Sequence, residues 1–149
     1  DIFNVSKVIE IVNVCFKFIS EYFNRCGVFI IHKDECLLEI VKGMTLNNLP
    51  QKFTLPHSLQ TKLQEGSIIK GKVDKDIYDS FFNLLGKPEI EDILIVPLKS
   101  SGRLIAFFYA DSPKNFSNIN IFEILQVLAN NSVELLLYRK MFEKTRKTE

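Results

Sequence analysis

The chain has 149 residues, 46% hydrophobic and 25% charged, with a formal net charge of +1. That length suits a single domain with a substantial core, and the composition excludes a disordered or fibrous chain. The near-zero net charge excludes a domain-wide field that would steer the chain onto nucleic acid or an anionic membrane.

The one local excess of cations, Arg139, Lys140, Lys144, Arg146 and Lys147, is read as helix-terminal charge that favours the macrodipole. No apolar run is long enough to cross a bilayer. The chain begins without Met inside a helical pattern and shows no basic-then-apolar leader. It is therefore expected to be a cytoplasmic segment of a longer protein. Cys15, Cys26 and Cys36 form no Cys-x-x-Cys pair and read as small buried apolar residues in a reducing compartment.

Residues 5–23 carry apolar side chains at helical spacing on two stripes, Val5, Val8, Val12, Cys15, Phe16, Ile19 and Phe23, then Ile11, Val14, Phe18 and Tyr22. A helix lying on a globule needs one apolar face, so the second stripe predicts cover from another side. Arg25-Cys26-Gly27 breaks the pattern. The runs 28–31 and 37–41 then predict a β-hairpin around the polar turn Lys33-Asp34-Glu35. Residues 44–56, with Asn47-Asn48, Pro50 and Pro56, read as a loop holding apolar anchors, and a short helix is expected over 58–63.

A third strand is expected over 67–73. The next helix, 76–85, carries Ile77, Phe81, Phe82 and Leu85 and stops at Gly86 before Pro88. Residues 93–98 and 104–110 are almost wholly apolar, so they read as a hairpin whose strands are covered on both faces. Pro97 places its strand at an edge or at a bulge. Residues 111–118 read as a polar loop. The last helix, from 121 to about 142, has a wide apolar surface and a narrow polar strip of Glu123, Gln126, Asn130 and Glu134.

This order predicts one α/β domain of α+β type in three layers. Five strands in one sheet would have the two terminal helices on one face and the middle segment on the other.

Ile95-Val96-Pro97-Leu98, a polar turn with Gly102, and the strand from Leu104 to Asp111 resemble the second-hairpin signature of GAF domains. Phe116-Ser117 and the helix after them are similar to the ending of that family. Ala106 stands where many members have Gly. Residues 53–59, Gly66-Ser67 and 81–86 resemble a GAF-like subgroup of multidomain bacterial signalling proteins, and the resemblance covers residues 1–143.

It implies a central antiparallel sheet of five to six strands with both terminal helices on one face and short helices and loops on the other, in a sensory or regulatory domain whose ligand, where there is one, lies under the central helices. It also implies terminal helices that pair across a homodimer and continue into neighbouring domains. Neither the cyclic-nucleotide motif nor the cysteine surroundings of bilin carriers are present. The cysteines do not stand where a GAF-fold methionine sulfoxide reductase has them.

No catalytic constellation, phosphate loop or metal-ligand spacing is found, so no cofactor is required, no metal is expected, and the chain reads as a non-enzyme. His32, His57 and Arg103 read as structural or solvated. Phe53, Leu55, Phe81, Phe82 and Leu85 are the candidate ligand-binding residues, weighed against a filled core. Ile11, Val14, Phe18, Ile124, Val127 and Tyr138 are the candidates for a dimer interface.

Overall fold

The first helical repeat becomes helix α1, Ile2–Ser20, which ends earlier than its apolar pattern suggests. The amides of Glu21 and Tyr22 bond back to the Phe18 and Ile19 carbonyls and turn the chain. Phe23 then opens strand β1, Phe23–His32, and pairs with Pro113. Arg25, Cys26 and Gly27, read from sequence as a break, lie inside this strand. Strand β2, Glu35–Lys42, returns antiparallel to β1.

The computed structural model describes the backbone of residues 2–114 and 120–148, and within these the side chains of 7–114, 121–134 and 136. Phe116-Ser117 lies outside the described residues.

Within the segment expected to be a loop, Gln51–Phe53 forms β3 on the outer side of β2. Helix α2, His57–Glu65, starts after Pro56 and stops at Gly66, whose left-handed φ of 80° favours glycine. Strand β4, Ile69–Gly71, is shorter than expected, and helix α3 spans Lys75–Leu85. The second hairpin is β5, Ile93–Ser100, and β6, Arg103–Pro113, so the strand runs through Asp111 and Ser112 where a polar loop was expected. Helix α4, Asn120–Thr148, is longer than its predicted span. Among the described residues no helix is long and apolar enough to cross a membrane.

The strand order is β3-β2-β1-β6-β5-β4 in one antiparallel sheet. The predicted three-layer α+β architecture is present. Val12, Cys15 and Ile19 of α1 join Phe122, Ala129 and Val133 of α4 against Val28, Val96, Phe108 and Ala110. On the other face Leu59, Leu63, Ile77 and Phe81 pack on Phe29, Ile95, Phe107 and Tyr109. Successive residues of β6 thus serve opposite layers, which is why that strand has no polar alternation.

Pro97 satisfies both of its expectations locally. Strand β4 pairs only with Ile93–Ile95, so at Pro97 β5 has β6 on one side and no strand on the other, and the register with β6 shifts just beyond it, between Leu98 and Lys99.

Candidate functional site

The aromatic group under α3 is packed. Phe81, fully buried, has its ring centroid 4.8 Å from Phe53, 4.5 Å from Tyr109, 5.5 Å from Phe29 and 6.2 Å from Phe107. Phe29 in turn stacks on Phe107 at 4.7 Å. Phe53 and Leu85 are buried with this cluster, while Phe82 is half-buried and stacks on Tyr78 at 5.2 Å. Of the five residues named as ligand contacts, three therefore sit in a filled layer.

Leu55 packs at the margin of this cluster and also borders an open cleft of about 460 Å³ between the β1–β2 turn, α2 and the start of β6. Ile31 and Leu104 line it with Leu55, and Lys33, Gln60 and Gln64 give it a polar rim. An adjoining hollow of about 230 Å³ reaches Phe53 and Lys52.

Thiol chemistry finds no support in the geometry. All three cysteines are free and buried. Burial pushes the Cys15 thiol up to about 11 and those of Cys26 and Cys36 up to about 12, the opposite of what a nucleophile needs. His32, His57 and Arg103 are exposed. Among the described residues no three His, Cys, Asp or Glu side chains are grouped to hold a metal ion.

A buried polar network that sequence reasoning did not single out lies at the end of β6. Arg25 Nε is 3.1 Å from Asp111 Oδ1, the Tyr109 hydroxyl donates to Asp111 Oδ2 at 2.6 Å, and Ser112 Oγ donates to Oδ1 at 3.1 Å. Arg25 and Asp111 face each other in the β1–β6 register, and Arg25 Nη2 also donates to the Gly86 carbonyl at 2.7 Å. The network fastens the end of α3 to the sheet. Burial raises the Asp111 carboxyl above its ordinary range, and Tyr109, Arg25 and Ser112 pull it partly back. Burial and the Asp111 charge push the Tyr109 phenol up. The only sequence signal was a charged residue closing an unbroken apolar strand.

The terminal helices divide the dimer candidates. Ile11 and Phe18 are half-buried against the α1–α4 layer, with the Phe18 ring 6.2 Å from Phe122. Val14 is 67% exposed, Ile124 61% and Val127 56%, joined by Leu128 at 60%. The side chain of Tyr138 lies outside the described residues. At 100° per residue, Ile124, Val127 and Leu128 fall on the arc of α4 opposite Phe122, Ala129 and Val133.

Three of the four members of the polar strip of α4 turn to the sheet edge, while Glu123 is exposed. Gln126 Nε2 donates to the Pro97 carbonyl at 2.8 Å and to the Gly66 carbonyl at 2.7 Å. Asn130 Oδ1 accepts from the Lys99 amide at 2.9 Å, and Glu134 Oε1 accepts from the Ser101 amide at 3.2 Å.

No family model and no curated protein matches the sequence. Solved structures do match. The GAF domain of PixJ from Thermosynechococcus elongatus, in its blue-light absorbing form, superposes with a TM-score of 0.69 at 13% identity over 99% of this chain and 95% of its own. The GAF domain of a two-component sensor histidine kinase from Bacillus halodurans gives 0.60 at 14% identity, over 88% and 96%. A type II free methionine-R-sulfoxide reductase from Thermoplasma acidophilum gives 0.60 at 14% identity, over 88% and 93%. At these identities the likeness is one of fold, and the fold is GAF-like.

Proposed function

We propose that this domain is a non-catalytic sensory or regulatory module of a bacterial signalling protein, acting in the cytoplasm. In this reading it pairs with a second copy through the outer face of α1 and α4, which couple it to neighbouring domains. The observation that carries the reading is a second apolar face on α4, opposite the one that Phe122, Ala129 and Val133 bury against the sheet. The side-chain amides of α4 turn to the edge of β5 while Ile124, Val127 and Leu128 stand in solvent. Fully burying one such side chain is worth about 1.5–3 kcal/mol, and a two-fold contact counts each residue twice. The likeness to a sensor-kinase GAF domain and to PixJ agrees with this reading at the level of fold.

Analytical ultracentrifugation tests it. The wild-type chain is expected to sediment as a dimer at micromolar concentration. Ile124→Glu with Leu128→Glu is expected to give a folded monomer, because exposed substitutions move stability by only about 0.5 kcal/mol. Phe18→Glu should instead destabilise the fold by removing the ring packed on Phe122. A wild type that stays monomeric at high micromolar concentration overturns the reading.

One observation favours a second reading, small-molecule sensing: the cleft at Leu55 has a volume in the range of ligand sites. A ligand at one hundred times its Kd would add about 2.7 kcal/mol of stability. A thermal-shift screen across nucleotides, haem and metabolites that yields no stabilised melt removes it.

A further inference from the structure

Strand β5 presents an open backbone edge from Pro97 onward, because β4 covers only Ile93–Ile95. Pro97 and Lys99 stand two residues apart on β5, about 6.6 Å along a strand, and Ser101 follows in the turn after it. Gln126, Asn130 and Glu134 recur every fourth residue, about 6 Å along a helix. The two repeats nearly match. One row of α4 side chains therefore follows the strand edge and takes the place of a missing neighbour.

Gln126 does more than cover the edge. Its side-chain amide donates both to Pro97 of β5 and to Gly66, the residue that caps α2 on the opposite face of the sheet. A second tie joins the same helix end, since Lys99 Nζ donates to the Gln64 carbonyl at 2.6 Å. Carbonyls at a helix C-terminus lack partners in their own helix and carry its negative end, so both ties fall where they hold α2 most firmly. Through Gln60 and Gln64, α2 forms one wall of the cleft.

We propose that Gln126 is a positioning residue that couples α2 to α4 around the sheet edge, so that a displacement of α2 is transmitted to the outward apolar face of α4. The inference rests on the reading of α4 as the output element.

Hydrogen exchange read by mass spectrometry on wild type, Q126M and Q126E tests the coupling. Methionine fills the same space without donors, and glutamate sets a carboxylate against two carbonyls. Exchange is expected to rise about tenfold in the last turn of α2 and in α4 together, the equivalent of roughly one lost hydrogen bond, with β1 and β2 unchanged. A rise confined to α4 and β5, with α2 as protected as in wild type, overturns the proposal. Should both variants unfold, wild-type exchange in low denaturant decides. One shared opening free energy for α2 and α4 supports the coupling, and separate openings overturn it. Sedimentation of the same samples tests pairing on its own, so a monomeric wild type refutes the dimer surface without altering the exchange outcome.

Discussion

Replacing Phe81 with Ala asks directly whether the layer under α3 is a packed core or the wall of a site. The ring is fully buried and meets Phe53 from β3, Phe29 from β1, and Phe107 and Tyr109 from β6. Phe→Ala changes in cores cost about 3–5 kcal/mol, and the cost rises with the volume that neighbours cannot refill. These four neighbours sit on paired strands, which resist collapse, and aromatic pairs add about 0.5–1.5 kcal/mol beyond their area. The upper end, about 4–5 kcal/mol, is expected. Set against a total of about 5–15 kcal/mol, that removes about a quarter or more of the stability. It should lower Tm by about 8–20 °C.

Urea unfolding followed by circular dichroism, at unchanged m, measures the effect. Benzene should restore part of it by entering a dry apolar void. Phe82→Ala is the control; half-buried and stacked on Tyr78, it should cost about 1–2 kcal/mol. If Phe81→Ala costs less than about 1 kcal/mol, the rings already border open space, and the packing argument is wrong.

Two further outcomes follow from buried ionisable groups. With thiols raised to about 11 and about 12, Cys15, Cys26 and Cys36 should label with Ellman's reagent at pH 8 only as fast as the chain unfolds, and all three should react in urea. Rapid labelling of Cys36, which borders the cleft, would contradict its burial. For Asp111 the folded carboxyl is raised, so the folded state holds a proton that the unfolded state has released. Its contribution is present at low pH and is lost as pH climbs from about 4 through the folded value. Urea titrations of wild type and Asp111→Asn should therefore differ in slope against pH within that window, and parallel curves would refute the assignment.

What the sequence disclosed follows from how local each cause is. The apolar runs of β5 and β6 were legible because both sheet faces are covered, so neither strand needs polar alternation. Helix α3 was legible from its spacing and from the glycine after it. Strand β3 was not, because three residues between two prolines become a strand only by pairing with Cys36–Leu38. The end of α1 was misread because Phe23 continues the helical stripe while its backbone pairs with Pro113. Arg25 and Asp111 stand far apart in the chain and meet only through the β1–β6 register, so neither announces the other. The ligand candidates are aromatic and aliphatic side chains, which mark a core as readily as a pocket; Leu55 and Phe53 border the open cleft or its adjoining hollow, and most of the remaining lining is polar residues that no periodicity singles out.

Helix α4 shows where binary patterning misleads, because it is apolar on two faces with a polar row between them. A polar strip on an apolar helix ordinarily marks the side facing water. Here two of its four members are amides, Gln126 and Asn130, and a carboxamide can both donate and accept, as a backbone edge requires. Surface strips are more often built from charges alone, so amides spaced four apart were the available clue. Once that row is committed to β5, the arc opposite the core holds Ile124, Val127 and Leu128. The exposed apolar face and the edge-covering row are then two consequences of one rotation of the helix. A twist that brought the amides back to water would expose the Pro97 carbonyl and the Lys99 amide while drawing the apolar arc inward. If the outer face is the pairing surface proposed above, whatever releases Gln126 should weaken pairing, and whatever buries that face should hold Gln126 in place.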